Sequence, residues 1–218
     1  MKIITTIIAL GAAVSAQAQT PEAIMQKASS AYSEMKTLRA EFQQSITNPL
    51  TGTNAVSRGV MLRRAPDLLS VNFTDPRGDR VVADGKSLWV YLPSSAPGQV
   101  MRLPANGKSA LALIEPGELF LNSSAKRYTI TSAGSATVAG RPANAVVLVP
   151  KQDNGMFSRA KVWVDAQDNS IRQFEVVDLN GLTRVVTITK LQPNVSISSS
   201  EFKFTPPKYA RVLDSGSF

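Results

Sequence analysis

The chain has 218 residues, carries a formal net charge of +8, and contains neither cysteine nor histidine. Those two absences rule out disulfides, a lipid-anchoring cysteine, thiolate ligands, Ser-His-Asp catalysis and the commonest zinc sites. Most enzyme classes are thereby disfavoured, and no catalytic residue, metal or cofactor is expected. The basic residues are scattered, and the Arg63-Arg64 pair has no aromatic platform beside it, so the charge points to solubility rather than to nucleic acid.

Residues 1 to 18 open with Lys2, continue through the apolar run Ile3 to Val14, and close on Ala16-Gln17-Ala18. This is the pattern of a cleaved export signal. The run is short of the ~20 apolar residues that span a bilayer. The expected product is therefore a soluble periplasmic protein made of a single domain, residues 19 to 218.

Thr20-Pro21-Glu22 reads as a helix start, with a hydroxyl cap, a proline in the first turn and an acid at the positive end of the dipole. Ile24, Ala28, Ala31, Met35, Leu38 and Phe42 follow at alternating spacings of four and three, which places them on one helical stripe. From there the texture becomes short runs rich in Val, Ile, Leu and Thr, broken at Asn48-Pro49, Asp84-Gly85, Pro97-Gly98, Gly140-Arg141-Pro142, Asp168-Asn169 and Asn180-Gly181. That alternation predicts an antiparallel meander.

The first set of strands is Arg39 to Ile46, Ser57 to Arg64, Leu68 to Asp75, Arg80 to Ala83, Ser87 to Leu92 and Gln99 to Pro104. The second is Tyr128 to Ser132, Ser135 to Val138, Ala143 to Pro150, Arg159 to Asp165, Ile171 to Asp178 and Leu182 to Leu191. Between the sets, Lys108 to Ile114 reads as a short apolar helix ending before Pro116, and Glu118 to Leu121 as a further turn. About a dozen strands in one sheet must curl or have their edges covered. Whether the enclosed volume is packed solid or left hollow does not follow from periodicity.

Several segments together resemble the periplasmic outer-membrane lipoprotein carrier family (LolA-like). They are Leu38 to Gln43, Gly59 to Pro66, Val81 to Tyr91 with Pro93, Leu111 to Ile114, Val162 to Asp165, Asp178 to Gly181, and Phe202 to Pro207. The resemblance implies a mainly β fold with helices: an incomplete, curved antiparallel β-barrel closed by the N-terminal helix and a short mid-chain helical lid. It implies a carrier, not an enzyme, whose apolar face shields lipoprotein acyl chains. The client would come from an inner-membrane lipoprotein-releasing transporter and pass to an outer-membrane acceptor lipoprotein. A monomer is expected, because closing a barrel leaves no long unprotected edge.

By the two-residue period of strands, Met61, Leu69, Val71 and Phe73 would line the concave face, with Val90, Phe174, Val176, Val186 and Ile188 as further lining candidates. Ile24, Met35 and Leu38 from the helix and Leu111 and Ile114 from the lid would stand opposite. The family carries Arg-Pro at the end of the second strand, where this chain has Ala65-Pro66; Arg63 shares the face of Ala65 and is the candidate latch to the lid. Asp165 and Asp168 flank a turn, Glu175 and Asp178 lie within or at the end of the next strand, and Ser30 and Ser33 stand near Lys27 and Lys36 on the helix. Turn chemistry explains the acids and the Ser/Lys spacing is common on any solvated helix face, so neither set is read as a catalytic site. A carrier or sensor of the same architecture for another amphiphile, such as a glycolipid, stays open, as does a scaffolding domain with a solid core.

Overall fold

The computed structural model describes residues 19–104, 117–121, 124–152 and 157–214. Helix α1 spans Pro21–Glu34, and the Thr20 hydroxyl accepts from the Ala23 amide at 3.2 Å as its N-cap. It ends earlier than the predicted stripe: Leu38 and Phe42 lie on a strand. The Lys36 amide donates to Asn194 Oδ1 at 2.8 Å and the Thr37 hydroxyl to the Val195 carbonyl at 2.6 Å, so a distant loop draws the chain out of the helix. A spacing of four suits both periods, which is why Leu38 and Phe42 still face the same core.

The strands are β1 (Thr37–Asn48), β2 (Thr53–Arg64), β3 (Leu68–Asp75), β4 (Arg77–Asp84), β5 (Ser87–Tyr91), β6 (Gln99–Pro104), β7 (Tyr128–Val138), β8 (Arg141–Pro150), β9 (Arg159–Asp165), β10 (Ile171–Val177), β11 (Thr183–Pro193) and β12 (Arg211–Asp214). They form one 12-stranded sheet in the order β12-β6-β5-β4-β3-β2-β1-β11-β10-β9-β8-β7. Two antiparallel meanders are joined where β1 pairs with both β2 and β11. Two predicted strands, Tyr128 to Ser132 and Ser135 to Val138, are the single strand β7, irregular where Gly134 takes a positive φ. The edge strand β12 was not predicted; it runs parallel to β6.

Curvature has a local cause. Extra residues interrupt three ladders near one level of the sheet: Thr189 of β11 opposite Glu41 and Phe42, Thr74 of β3 opposite Arg58 and Gly59, and one residue of Gly78-Asp79 in β4 opposite Asn72 to Thr74. Bulges raise twist and bend a strand, so three near one level, on both sides of β1 and β2, fold the sheet toward one face. Gly59 sits at their centre opposite Phe42, where a Cβ would meet the Asn72 carbonyl oxygen at 2.6 Å and Phe42 Cζ at 2.9 Å. Phe42 uses that space to meet Phe73 edge-on, with centroids 5.7 Å apart.

The concave face carries the main core, and α1 lies over its β7–β9 half. The convex face of β3–β5 is covered by the chain after β11: Phe202 is buried, and Phe204 stacks on Trp89 and Tyr91 at 5.8 and 6.0 Å. At the β9–β10 turn an extra residue, Arg172, faces the convex side. There it meets Asp165 at 3.0 Å and Asp168 at 2.5 Å, and Arg141 joins both carboxylates. Burial alone would raise the Asp165 pKa, but hydrogen bonds from Arg141, from the Gln167 and Asp168 amides and from Arg172 hold it well below the usual carboxylate range.

Gly59→Ala is expected to lower stability by about 1–3 kcal/mol through overpacking against backbone, measured by urea unfolding. Asp165→Asn is expected to cost about 3 kcal/mol near neutral pH by leaving buried Arg172 short of a partner. Because the folded-state pKa of Asp165 is depressed, its contribution is present above an unfolded pKa of about 3.9 and is lost as pH falls further. The gap in unfolding midpoint between the two proteins should therefore be constant above about pH 5 and shrink toward pH 3.

Candidate functional site

The concave face is filled unevenly. Over β7–β10 it is densely covered by Leu119, Phe120 and Leu121 from the turn Gly117–Leu121, together with Tyr128 and Phe157. Phe120 meets Phe174 at 5.5 Å and Phe157 at 6.3 Å, and the Tyr128 hydroxyl donates to the Leu119 carbonyl at 2.8 Å. Over β1–β6, β10 and β11 the same face encloses a hollow of about 370 Å³. That volume lies within the ~300–1,000 Å³ typical of ligand pockets.

Of the predicted lining residues, Met61, Val71, Phe73, Val90, Phe174, Val186 and Ile188 border this hollow. Met35 and Leu38 border a smaller one of about 30 Å³ under α1, where Met61 and Ile188 again form part of the wall. Met61 and Ile188 thus stand between the two spaces. Ile24 and Leu69 are instead packed into the core, Leu69 with only 2% of its surface exposed, and Val176 is half-buried against that core; these three border neither hollow. Leu111 and Ile114, with the predicted lid, lie outside the described residues.

Sequence reasoning missed Phe42, Ile46, Val81, Leu88, Leu92, Met101 and Leu103 as wall residues, although the strand period already places Leu88 and Leu92 on the face of Val90; Val81 joins them through the β4–β5 register. It also missed Gln44 and Arg184, the polar members of the wall. Arg184 pairs across the ladder with Ile46, and burial pushes its pKa below the ordinary guanidinium value.

The two adjacent arginines are divided by strand parity. Arg63 points inward: its Nη1 donates to the Met35 carbonyl at 2.9 Å, and its guanidinium stacks 4.2 Å over the Tyr32 ring. It therefore grips the carboxyl end of α1, where free carbonyls and the negative end of the dipole favour a cation. Arg64 points outward, donating to the Ser199 hydroxyl at 3.0 Å and to the Ile197 carbonyl, and holds the C-terminal segment against the convex face.

The acidic residues of the turns and strand ends are taken up by structure. Asp165 and Asp168 belong to the arginine cluster, Glu175 pairs with Arg159 at 3.3 Å, and Asp178 accepts from the Asn180 and Leu182 amides at 2.8 and 2.9 Å. On α1, the Ser33 hydroxyl donates to the Ser30 carbonyl at 2.7 Å. Among the described residues, no group of three or more metal-ligating side chains comes together. No helix among them is long and apolar enough to cross a membrane.

The family model described as outer membrane lipoprotein carrier protein LolA matches residues 33–205. An outer-membrane lipoprotein carrier protein of Serratia proteamaculans strain 568 is 28% identical over 182 residues, covering 83% of each chain. One of Dechloromonas aromatica strain RCB is 27% identical over 179 residues, covering 82% of this chain and 81% of the relative. Among solved structures, an uncharacterised conserved protein of Thermus thermophilus superposes with a TM-score of 0.55 at 13% identity, over 88% of this chain and 98% of that one. The Mycobacterium tuberculosis lipoprotein LppX does so with a TM-score of 0.50 at 12% identity, over 81% and 97%. At such identities the two structures show a shared fold.

The grip of Arg63 on α1 has a measurable consequence. Arg63→Ala is expected to cost about 1–3 kcal/mol, from one charge-assisted hydrogen bond and one cation–π contact. Amide exchange in Pro21–Glu34 should accelerate more than elsewhere. Unchanged exchange in α1 would show that Arg63 does not hold it.

Proposed function

Because the chain belongs to the outer membrane lipoprotein carrier family, we propose that it carries lipoproteins between the inner and outer membranes, with the hollow over β1–β6 taking their acyl chains. The observation that carries this reading is the uneven filling of one concave face. A protein that needed only a stable core would gain by filling the whole face, since every empty volume forfeits dispersion contacts. Here the apolar wall over β1–β6 is left uncovered by the aromatic side chains that fill the other half.

The energetics suit the task. At ~0.8 kcal/mol per methylene, a long acyl chain costs about 12 kcal/mol to expose to water, which forbids unassisted passage through an aqueous compartment. A carrier must still let go, so its wall should match many chain conformations loosely. Beside Phe42, Phe73 and Phe174, most of the wall is aliphatic side chains and the flexible Met61 and Met101, which suits such a match. Movement of Met61 would open the small space under α1 to a longer chain.

Residues 1–18 act in this reading as the export signal, and residues 19–218 work as one domain in the periplasm. The client is received from an inner-membrane lipoprotein-releasing transporter, which supplies the energy, and is passed to an acceptor at the outer membrane. The chain itself catalyses no reaction.

The test is release of a radiolabelled lipoprotein from spheroplasts by purified residues 19–218. Label should leave the membrane in a soluble complex with the chain. Phe73→Glu, which puts a charge into the apolar wall, should reduce recovery at least about ten-fold while the circular dichroism spectrum is retained. If the wild-type chain releases no label, the lipoprotein client is wrong; if Phe73→Glu releases as much, the acyl chains lie elsewhere.

A further inference from the structure

Among the described residues, the wall of the large hollow is apolar at every position but two, Gln44 and Arg184, and these two lie together. In the β1–β11 ladder Gln44 faces Val186 and Ile46 faces Arg184, and all four side chains share the concave face. Gln44 and Arg184 are therefore diagonal neighbours, about 7 Å apart at the backbone. On the next strand Ser57 stands opposite Gln44, whose Nε2 donates to the Ser57 hydroxyl at 3.2 Å. The more buried end, around Met61, Val81, Leu88 and Ile188, offers no polar side chain among the described residues. The hollow thus has a polar corner and an apolar depth, the complement of an amphiphile.

Burial lowers the Arg184 pKa, and the charge of Asp178 offsets part of that shift. A guanidinium carries five donors in a rigid fork, so it can serve a protein partner and still present donors to paired oxygens in the hollow. The amide of Gln44 adds donor and acceptor capacity beside it. We propose that Gln44 and Arg184 form the head-group end of the cavity and receive the acceptor oxygens at the head of an acyl chain. Those oxygens are either the ester and amide carbonyls of a lipidated amino terminus or the anionic oxygens of a phosphate or carboxylate head. The proposal rests on the acyl-chain reading of the hollow and adds an orientation to it: heads at the β1–β11 end, tails toward Met61.

The experiment titrates purified residues 19–218 with 1-N-phenylnaphthylamine, a neutral fluorescent probe without oxygen, and then displaces it with dodecyl phosphate or with methyl dodecanoate. Arg184→Gln and Gln44→Leu are compared with wild type, with thermal melting as the check on folding and Arg184→Lys to restore charge without the fork. Arg184→Gln should weaken at least one head-bearing ligand about ten-fold more than it weakens the probe, and Gln44→Leu should act in the same direction. Loss confined to dodecyl phosphate, with partial recovery in Arg184→Lys, assigns anionic heads; loss for both ligands assigns carbonyl oxygens. Equal affinities in variant and wild type, or equal loss for probe and ligands, would overturn the head-group assignment while leaving the cavity reading intact. If neither the probe nor any chain binds the wild-type protein, the acyl-chain reading fails and this proposal falls with it.

Discussion

The antiparallel pairing of β1 with β11 joins residues more than a hundred positions apart, and with β2 on its other edge β1 becomes the seam between two meanders. Its inward side chains, Leu38, Ala40, Phe42, Gln44 and Ile46, form a line from the end of α1 to the polar corner of the hollow. The bulge of β11 opposite Phe42 of this seam, with those in β3 and β4, turns a flat meander into a concave surface. Without that bend there would be no enclosed face, and Gly59 is the position where the bend leaves no room for a side chain.

Once the face is concave, its contents decide what the protein can do. One half is filled by aromatic and aliphatic side chains from Gly117–Leu121, Tyr128 and Phe157 and is covered by α1. This half supplies the dense packing that a single domain needs. The other half can then remain hollow without unfolding the whole, since the sheet runs unbroken through both halves and shares their stability. A densely packed half beside a hollow half suits the proposed loading of acyl chains.

The arginines show how position rather than residue type assigns roles. Arg63 and Arg64 are adjacent in the chain, yet one grips α1 from inside and the other grips the C-terminal segment from outside. Arg172 reaches its carboxylate partners on the convex face at a bulge between β9 and β10. Arg184 borders the hollow itself, where burial lowers its pKa and where the proposed head-group end lies.

Much of the architecture was legible in the amino-acid order because it depends on local chemistry. The Thr20 cap, the turns at Asp84-Gly85 and Asn180-Gly181, and the two-residue alternation of Met61, Val71 and Val90 act within a few residues, so the helix start, most strands and half of the concave wall could be read directly. The end of α1 could not, because the groups that draw out Lys36 and Thr37 come from Asn194 and Val195, and a spacing of four fits a helix and a strand alike. Nor could β12, four residues whose pairing partner lies more than a hundred positions earlier. Whether the concave face was solid or hollow was decided only in three dimensions. A cavity is the volume between a wall and whatever distant segments reach it, and here Phe120 and Phe157 fill one half while no described side chain fills the other.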